Sequence, residues 1–519
     1  MPRSRAAILS ALLLVFALAS PATAGRDPSV VVTDKGPVRG TVTEQGRVFH
    51  RIPFAAPPVG GLRWRAPRPA AAWTGVRDAT VAGPECAQVA APELGIPRIT
   101  TEDCLYLNVY TPPGGRRHRP VMVWFHGGGY TSGSANQYDG SALAQRGVVV
   151  VTVNYRLGAF GFLAHPALSA EAPVKSGNYG TLDQQAALRW VQGNAAAFGG
   201  DPHRVTIFGE SAGAGSVCAH LTSPLAAGLF ARAIVQSGPC FVRPRPDAEA
   251  TGRQFATTAG CQGAPDIAGC LRARPVDAVL DAQSGTSGQG MQLTWAPTTG
   301  TPVLPVDPDQ AIASGAYNRV PVMAGTTLDE GRIFAAFLEA SGVPLNAATY
   351  PAVLTQIYGA EGPRVLARYP GSAYGDDYRI AMGAVFTDSR FACPTWSFNW
   401  SVSALTRTYA YEFADRTAPK LFPITPDFPL GAYHGAELSY LFPSTASLLN
   451  AAQRRLSEQM LAYWTQFAAR GNPNGYGTPQ WRSFRASDKS VLTLDLDHTT
   501  NRYGFGARHQ CAFWATVGS

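Results

Sequence analysis

Lysine is nearly absent from this 519-residue chain: only Lys35, Lys175, Lys420 and Lys489 occur, and arginine carries almost all of the positive charge. The formal charge is +8, or +6 without Arg3 and Arg5, and no basic stripe with interleaved aromatics accompanies it. The densest basic run, Arg116-Arg117-His118-Arg119, sits between Gly114-Gly115 and the apolar Val121 to Phe125, where a solvated loop is expected, so nucleic acid is not an expected partner. No Cys-x-x-Cys pair and no clustered His/Cys spacing points to zinc. Neither a metal nor an organic cofactor is expected. No Ser/Gly-rich linker, charge block or repeat divides the sequence, and its 41 prolines and 54 glycines are spread along it. One domain over residues 25–519 is therefore expected despite a length that would allow about three.

Long apolar runs are also missing, except at the start. MPRSRAAILSALLLVFALASPATAG places Arg3 and Arg5 before an apolar stretch from Ala6 to Ala19, followed by Ala22-Thr23-Ala24. The pattern is that of a secretory signal peptide over residues 1–24, cleaved near Ala24, and the apolar stretch is shorter than the ~20 residues that span a bilayer. The expected product is secreted, monomeric and without a membrane span. All eight cysteines follow residue 85, an even number compatible with an oxidising compartment. Cys261 and Cys270 are close enough to clip a short loop, Cys86 and Cys104 a longer one. Cys393 with Cys511 would tie the C-terminal tail to the body. That leaves Cys218 and Cys240 open between a fourth bridge and two buried thiols.

Against these absences, Phe198 to Gly213 (FGGDPHRVTIFGESAG) is rich in meaning. A β-branched run from Arg204 to Phe208 breaks into Gly-Glu-Ser-Ala-Gly, and small residues from Ala212 to Leu221 can form a helix beyond it. This is how a serine is exposed on a sharp strand-to-helix turn, with Gly209 and Gly213 removing the Cβ atoms that would collide there. Upstream, PVMVWFHGGGY (Pro120 to Tyr130) runs a buried-strand pattern into three glycines. Such a loop can aim backbone N–H groups at one point, as acyl transfer requires when a carbonyl oxygen becomes an anion. Gly128, Gly129 and the N–H of Ala212 are the candidate oxyanion donors.

A serine hydroxyl attacks only when a base takes its proton. The order serine, acid, histidine leaves His434, His498 and His509 among nine histidines. His434, between glycines in GAYHGAEL (Gly431 to Leu438), is the best placed, whereas His498 looks like a polar turn residue. For the acid, VPVMAGTTLDEG (Val320 to Gly331) offers a strand ending in Asp329 and Glu330, and side-chain chemistry does not choose between the two.

Together these segments resemble the type-B carboxylesterase/lipase family of α/β-hydrolases, which includes cholinesterases and bacterial para-nitrobenzyl esterases. The resemblance extends to EDCLYLNVYTP (Glu102 to Pro112), NYRLGAFGFL (Asn154 to Leu163), GNYGTLDQQAALRWV (Gly177 to Val191), AIVQSG (Ala233 to Gly238) and FAARGNPN (Phe467 to Asn474), and so to essentially the whole chain after residue 24. It implies an α/β-hydrolase fold, with a central, mostly parallel sheet and helices on both faces. It also implies hydrolysis of small-molecule carboxylic esters by Ser211, His434 and Glu330, with Gly128, Gly129 and Ala212 as the oxyanion hole. Glu210 resembles the acidic neighbour of the nucleophile and Ser237 a buried serine near the acid. Three disulfides follow from the likeness, Cys86–Cys104, Cys261–Cys270 and Cys393–Cys511; Cys218 and Cys240 lie outside them. In cholinesterases a tryptophan in the first disulfide loop holds the choline ammonium. The loop here, CAQVAAPELGIPRITTEDC, has no aromatic residue, so choline esters are not expected substrates. Tyr130 and Tyr433 adjoin the motifs and are candidates for lining a substrate pocket. Long-chain or sterol esters, amides and carbamates use the same triad, and a non-catalytic, partner-binding relative would lack the serine that this chain retains.

Overall fold

The computed structural model describes residues 27–286, 293–442 and 448–517, so the segment read as a signal peptide lies outside the described residues. An eleven-stranded sheet forms the centre of the molecule. Seven neighbouring strands run parallel, in the spatial order Val491–Leu494, Thr408–Phe413, Val322–Thr327, Arg232–Gln236, Gly200–Glu210, Arg119–Phe125 and Val149–Val153. Antiparallel neighbours finish both edges: Thr500–Arg502 on one side, then Tyr106–Thr111, Gly46–Pro53 and Thr41–Thr43 on the other. Val149–Val153, Val322–Thr327 and Thr408–Phe413 are buried at every residue, as the continuous apolar runs of parallel strands require.

Alternation along a strand sends successive side chains to opposite faces. Val121, Val123 and Phe125 join a core built with Ala187, Leu188 and Val191 of the helix Tyr179–Asn194 and with Val217 and Leu221 of the helix Ala212–Thr222. Met122 and Trp124 enter a second core with Leu456, Met460 and Trp464 of the helix Ala451–Arg470. Helices therefore cover both faces, the α/β-hydrolase arrangement that the resemblance implied. The strand Arg119–Phe125 is followed in sequence by its neighbour on one side, Val149–Val153, and then by its neighbour on the other, Gly200–Glu210. Sites in open α/β sheets form at such a reversal, outside the carboxyl ends of the strands. Here Phe125 pairs with Gly209, so the glycine loop and the serine turn leave the sheet side by side.

Four disulfides use all eight cysteines: Cys86–Cys104, Cys218–Cys240, Cys261–Cys270 and Cys393–Cys511. The pair left open by the sequence is bridged.

Candidate active site

The strand Gly200–Glu210 stops one residue before the helix Ala212–Thr222, and Ser211 between them holds φ 56° and ψ −122°. A side chain rarely adopts this backbone shape, and the surroundings enforce it. Ser211 N–H donates to the Gln236 carbonyl at 2.9 Å, fixing the turn to the next strand. A Cβ at Gly213 would lie 1.9 Å from the Phe125 carbonyl oxygen, so the helix approaches the neighbouring strand only because that residue is glycine.

Gly128 holds φ 102°, and its carbonyl accepts hydrogen bonds from Thr131 N–H and Ser132 N–H, each at 3.0 Å. The loop is anchored from behind by the buried His126, whose ring stacks on Tyr155 at 4.5 Å and whose carbonyl accepts from the Tyr155 hydroxyl at 2.8 Å. Burial lowers the His126 pKa to about 4, so the anchor is neutral. The N–H groups of Gly128, Gly129 and Ala212 donate to no acceptor among the described residues. Three unsatisfied donors beside a serine, one at a helix N-terminus, suit an anionic oxygen.

His434 Nδ1 stands 2.6 Å from Glu330 Oε2, and Glu330 Oε1 accepts Thr327 N–H at 2.8 Å. Asp329, its neighbour, turns the other way, into ion pairs with Arg416 and Arg332 at 2.8 and 2.9 Å. The structure thus separates two carboxylates that side-chain chemistry alone could not. His434 Nε2 lies 3.1 Å from Glu210 Oε1, at an angle that makes no hydrogen bond. Ser211 Oγ also makes no hydrogen bond to the described residues, and His434 and Ser211 face one cavity. Such looseness is common before a substrate binds.

Another buried carboxylate, Glu437, went unread in the sequence, although its place one helical turn after His434 in HGAEL is a signal for a residue on the same side. Its Oε1 accepts from Gln236 Nε2 at 3.3 Å, while Trp464 Nε1 donates to Gln236 Oε1 at 2.9 Å. Burial, then repulsion among the acids, pushes Glu437 up to about 8; burial likewise carries Glu210 up to about 7. Burial would lower His434, but Glu210 and Glu330 outweigh it and hold the imidazole up to about 9. Ser237, at φ 53°, donates its N–H to the Gly325 carbonyl at 2.8 Å on the strand that leads to Glu330, and its buried hydroxyl has no partner among the described residues.

Ser211, Ala212, Gly128, Gly129 and His434 open on a cavity of about 830 Å³. Phe334 and Phe391 line it and pack against the His434 ring, 5.0 and 4.7 Å away, a contact the sequence did not announce. Val89, Leu94, Ile96 and the acidic Glu93 of the first disulfide loop form another part of the wall, with no aromatic ring from that loop, as the sequence indicated. Tyr130 and Tyr433 do not line it: Tyr130 is buried against Phe162, and the Tyr433 hydroxyl donates to the Pro419 carbonyl at 2.8 Å. A cleft of similar volume, about 850 Å³, opens beside Arg47, Arg116 and Arg119 at the opposite end of the sheet and contains none of the candidate residues. His498 is exposed, and His509 is buried elsewhere between Asp388 and Glu412. Among the described residues, no cluster of three or more His, Cys, Asp or Glu could hold a metal ion, and no helix is long and apolar enough to cross a membrane.

A family model described as "Carboxylesterase family" matches residues 27–514. The chain is 39% identical to a fumonisin B1 esterase of Sphingopyxis macrogoltabida over 499 residues, which cover 88% of this chain and 85% of that one. It is 35% identical to a para-nitrobenzyl esterase of Bacillus subtilis over 487 residues, 91% of this chain and 95% of that one. A cAMP-regulated D2 protein of Dictyostelium discoideum is 34% identical over 516 residues, with 94% and 93% covered.

Proposed function

From the premise that the chain belongs to the carboxylesterase family and is a carboxylic-ester hydrolase, we propose that it cleaves esters through an acyl-enzyme formed on Ser211. His434 Nε2 takes the Ser211 proton as Oγ attacks the ester carbonyl, and the alcohol leaves with that proton. Water, activated by the same nitrogen, then releases the acid. Glu330 holds the Nδ1 edge and stabilises the imidazolium. Gly128, Gly129 and Ala212 N–H groups receive the oxyanion. The observation that carries this reading is the set of three N–H groups that find no acceptor among the described residues around the strained Ser211.

The substrate is a small-molecule ester, and the protein acts as one domain from residue 25, secreted after cleavage near Ala24. The first disulfide loop offers no aromatic face for cation–π contact with a quaternary ammonium, so choline esters are not the expected substrates. A cavity of about 830 Å³ lined by phenylalanine and leucine supports a second reading, preference for long-chain acyl groups. Rates on p-nitrophenyl esters from acetate to palmitate, with Ser211→Ala alongside, decide between them. A maximum at short chains that vanishes in the variant is the result expected of a carboxylesterase, and a long-chain maximum moves the protein to lipase chemistry. Undiminished hydrolysis by Ser211→Ala contradicts the mechanism.

A further inference from the structure

Between the helices Tyr378–Phe386 and Cys393–Ser403, residues Thr387–Ala392 wind as a π-helical turn. Such turns re-aim side chains and gather at functional sites. This one touches His434 and the residue next to Glu330. Thr387 Oγ1 accepts the N–H of Gly331, the residue after Glu330, at 2.9 Å and donates to the Gly383 carbonyl at 2.8 Å. The approach is close: a Cβ on Gly331 would lie 2.1 Å from the Gly383 carbonyl oxygen. At the other end of the turn, Phe391 stands 4.7 Å from the His434 ring and stacks on Phe334 at 5.4 Å.

The C-terminal tail grips this turn. His509 Nδ1 meets Asp388 Oδ1 at 2.6 Å, and its Nε2 meets Glu412 Oε1 at 2.8 Å on the strand Thr408–Phe413. Asp388 also accepts the Tyr369 hydroxyl at 2.8 Å, which in turn accepts Trp514 Nε1 at 2.7 Å, and Arg508 holds the other Glu412 oxygen at 2.9 Å. Asp388 and Glu412 outweigh burial and favour the charged imidazole, which can donate from both ring nitrogens and so bridge an acid on the turn to an acid on the sheet. The disulfide Cys393–Cys511 already tethers the tail beside the turn. What His509 adds is orientation, because the bridge does not touch Asp388, whereas the two short ion pairs tie its carboxylate, already held by Tyr369, across to the sheet.

We propose that His509 is a positioning residue: clamped between Asp388 and Glu412, it fixes the Thr387–Ala392 turn and, through Thr387 and Phe391, the mutual placement of Glu330 and His434. The inference rests on the Ser211, His434, Glu330 reading. The test is His509→Gln in the oxidised full chain, with Asp388→Asn and Ser211→Ala beside it. kcat and KM for p-nitrophenyl butyrate are counted per folded molecule, from gel filtration and near-ultraviolet circular dichroism, and the thermal midpoint is followed. The expected result is a fall in kcat of about tenfold or more in His509→Gln, with KM changed by less than about threefold. Asp388→Asn should move the same way, and it decides alone if His509→Gln does not fold. If kcat per folded molecule stays within about twofold of the parent, however far the thermal midpoint drops, the tail is an anchor only and the proposal is overturned. Full activity in Ser211→Ala overturns the site and the clamp together, whereas loss there with unchanged kcat in the other variants overturns the clamp alone.

Discussion

His434 and His509 are both buried, and each lies between two carboxylates: Glu330 and Glu210 at 2.6 and 3.1 Å for the first, Asp388 and Glu412 at 2.6 and 2.8 Å for the second. In both, burial favours the neutral ring and the acids outweigh it, holding the pKa up to about 9. The difference is in the second nitrogen. His509 spends both on hydrogen bonds, whereas His434 Nε2 makes none among the described residues and faces the cavity that holds Ser211. A perturbed histidine with acid neighbours is therefore a poor mark of a general base unless a nitrogen is left over where a substrate can reach it.

Substitution at the two histidines should separate them most widely. Ser211→Ala and His434→Ala are expected to lose about 10⁴-fold or more in kcat, far beyond the tenfold scale expected at His509. Equal losses at His434 and His509 would break the comparison. Glu330→Gln should follow, with a fall of about 10³-fold, because an amide in place of the carboxylate neither fixes the tautomer nor steadies the imidazolium. Steady-state rates on one short-chain ester measure all three.

pH gives a subtler contrast. His434 must be neutral to accept the Ser211 proton, so kcat/KM should rise with pH through its elevated pKa. Glu210→Gln removes one of the charges that raise it and should shift the rising limb to lower pH. A limb that does not move would show that Glu210 does not govern the base. His509 should register in stability. Its folded pKa lies above the ordinary value of 6.5, so its contribution is complete below about 6.5 and disappears as pH rises through about 9. Chemical denaturation across that window should show stability falling with pH, and Asp388→Asn should flatten only part of the slope, because His434, Glu437 and Glu210 are also raised and add to it.

The same contrast explains how much could be read in advance. The serine turn, the glycine loop and the strands before them were legible because their constraints are local: Gly213 must be glycine to pass the Phe125 carbonyl, and the alternation of Val121, Met122, Val123 and Trp124 between two cores is written in the strand itself. The choice between Asp329 and Glu330 was not local. Arg332, three residues on, could have paired with either acid; it is Arg416, far along the chain, that joins it in drawing Asp329 away from the histidine, and the choice was reached only through the family resemblance. Glu437 escaped because no polar partner adjoins it in sequence; Gln236 and Trp464 meet it only in the fold. His509 passed the order test for a catalytic base, and only tertiary structure reveals that both of its nitrogens are taken.

The most direct test of the mechanism is to label the oxidised protein with a fluorophosphonate and locate the adduct by peptide mass spectrometry. One adduct per chain, on the peptide containing Ser211, with activity lost in proportion, is the predicted result. An adduct on another residue, or full activity after complete labelling of Ser211, would contradict it.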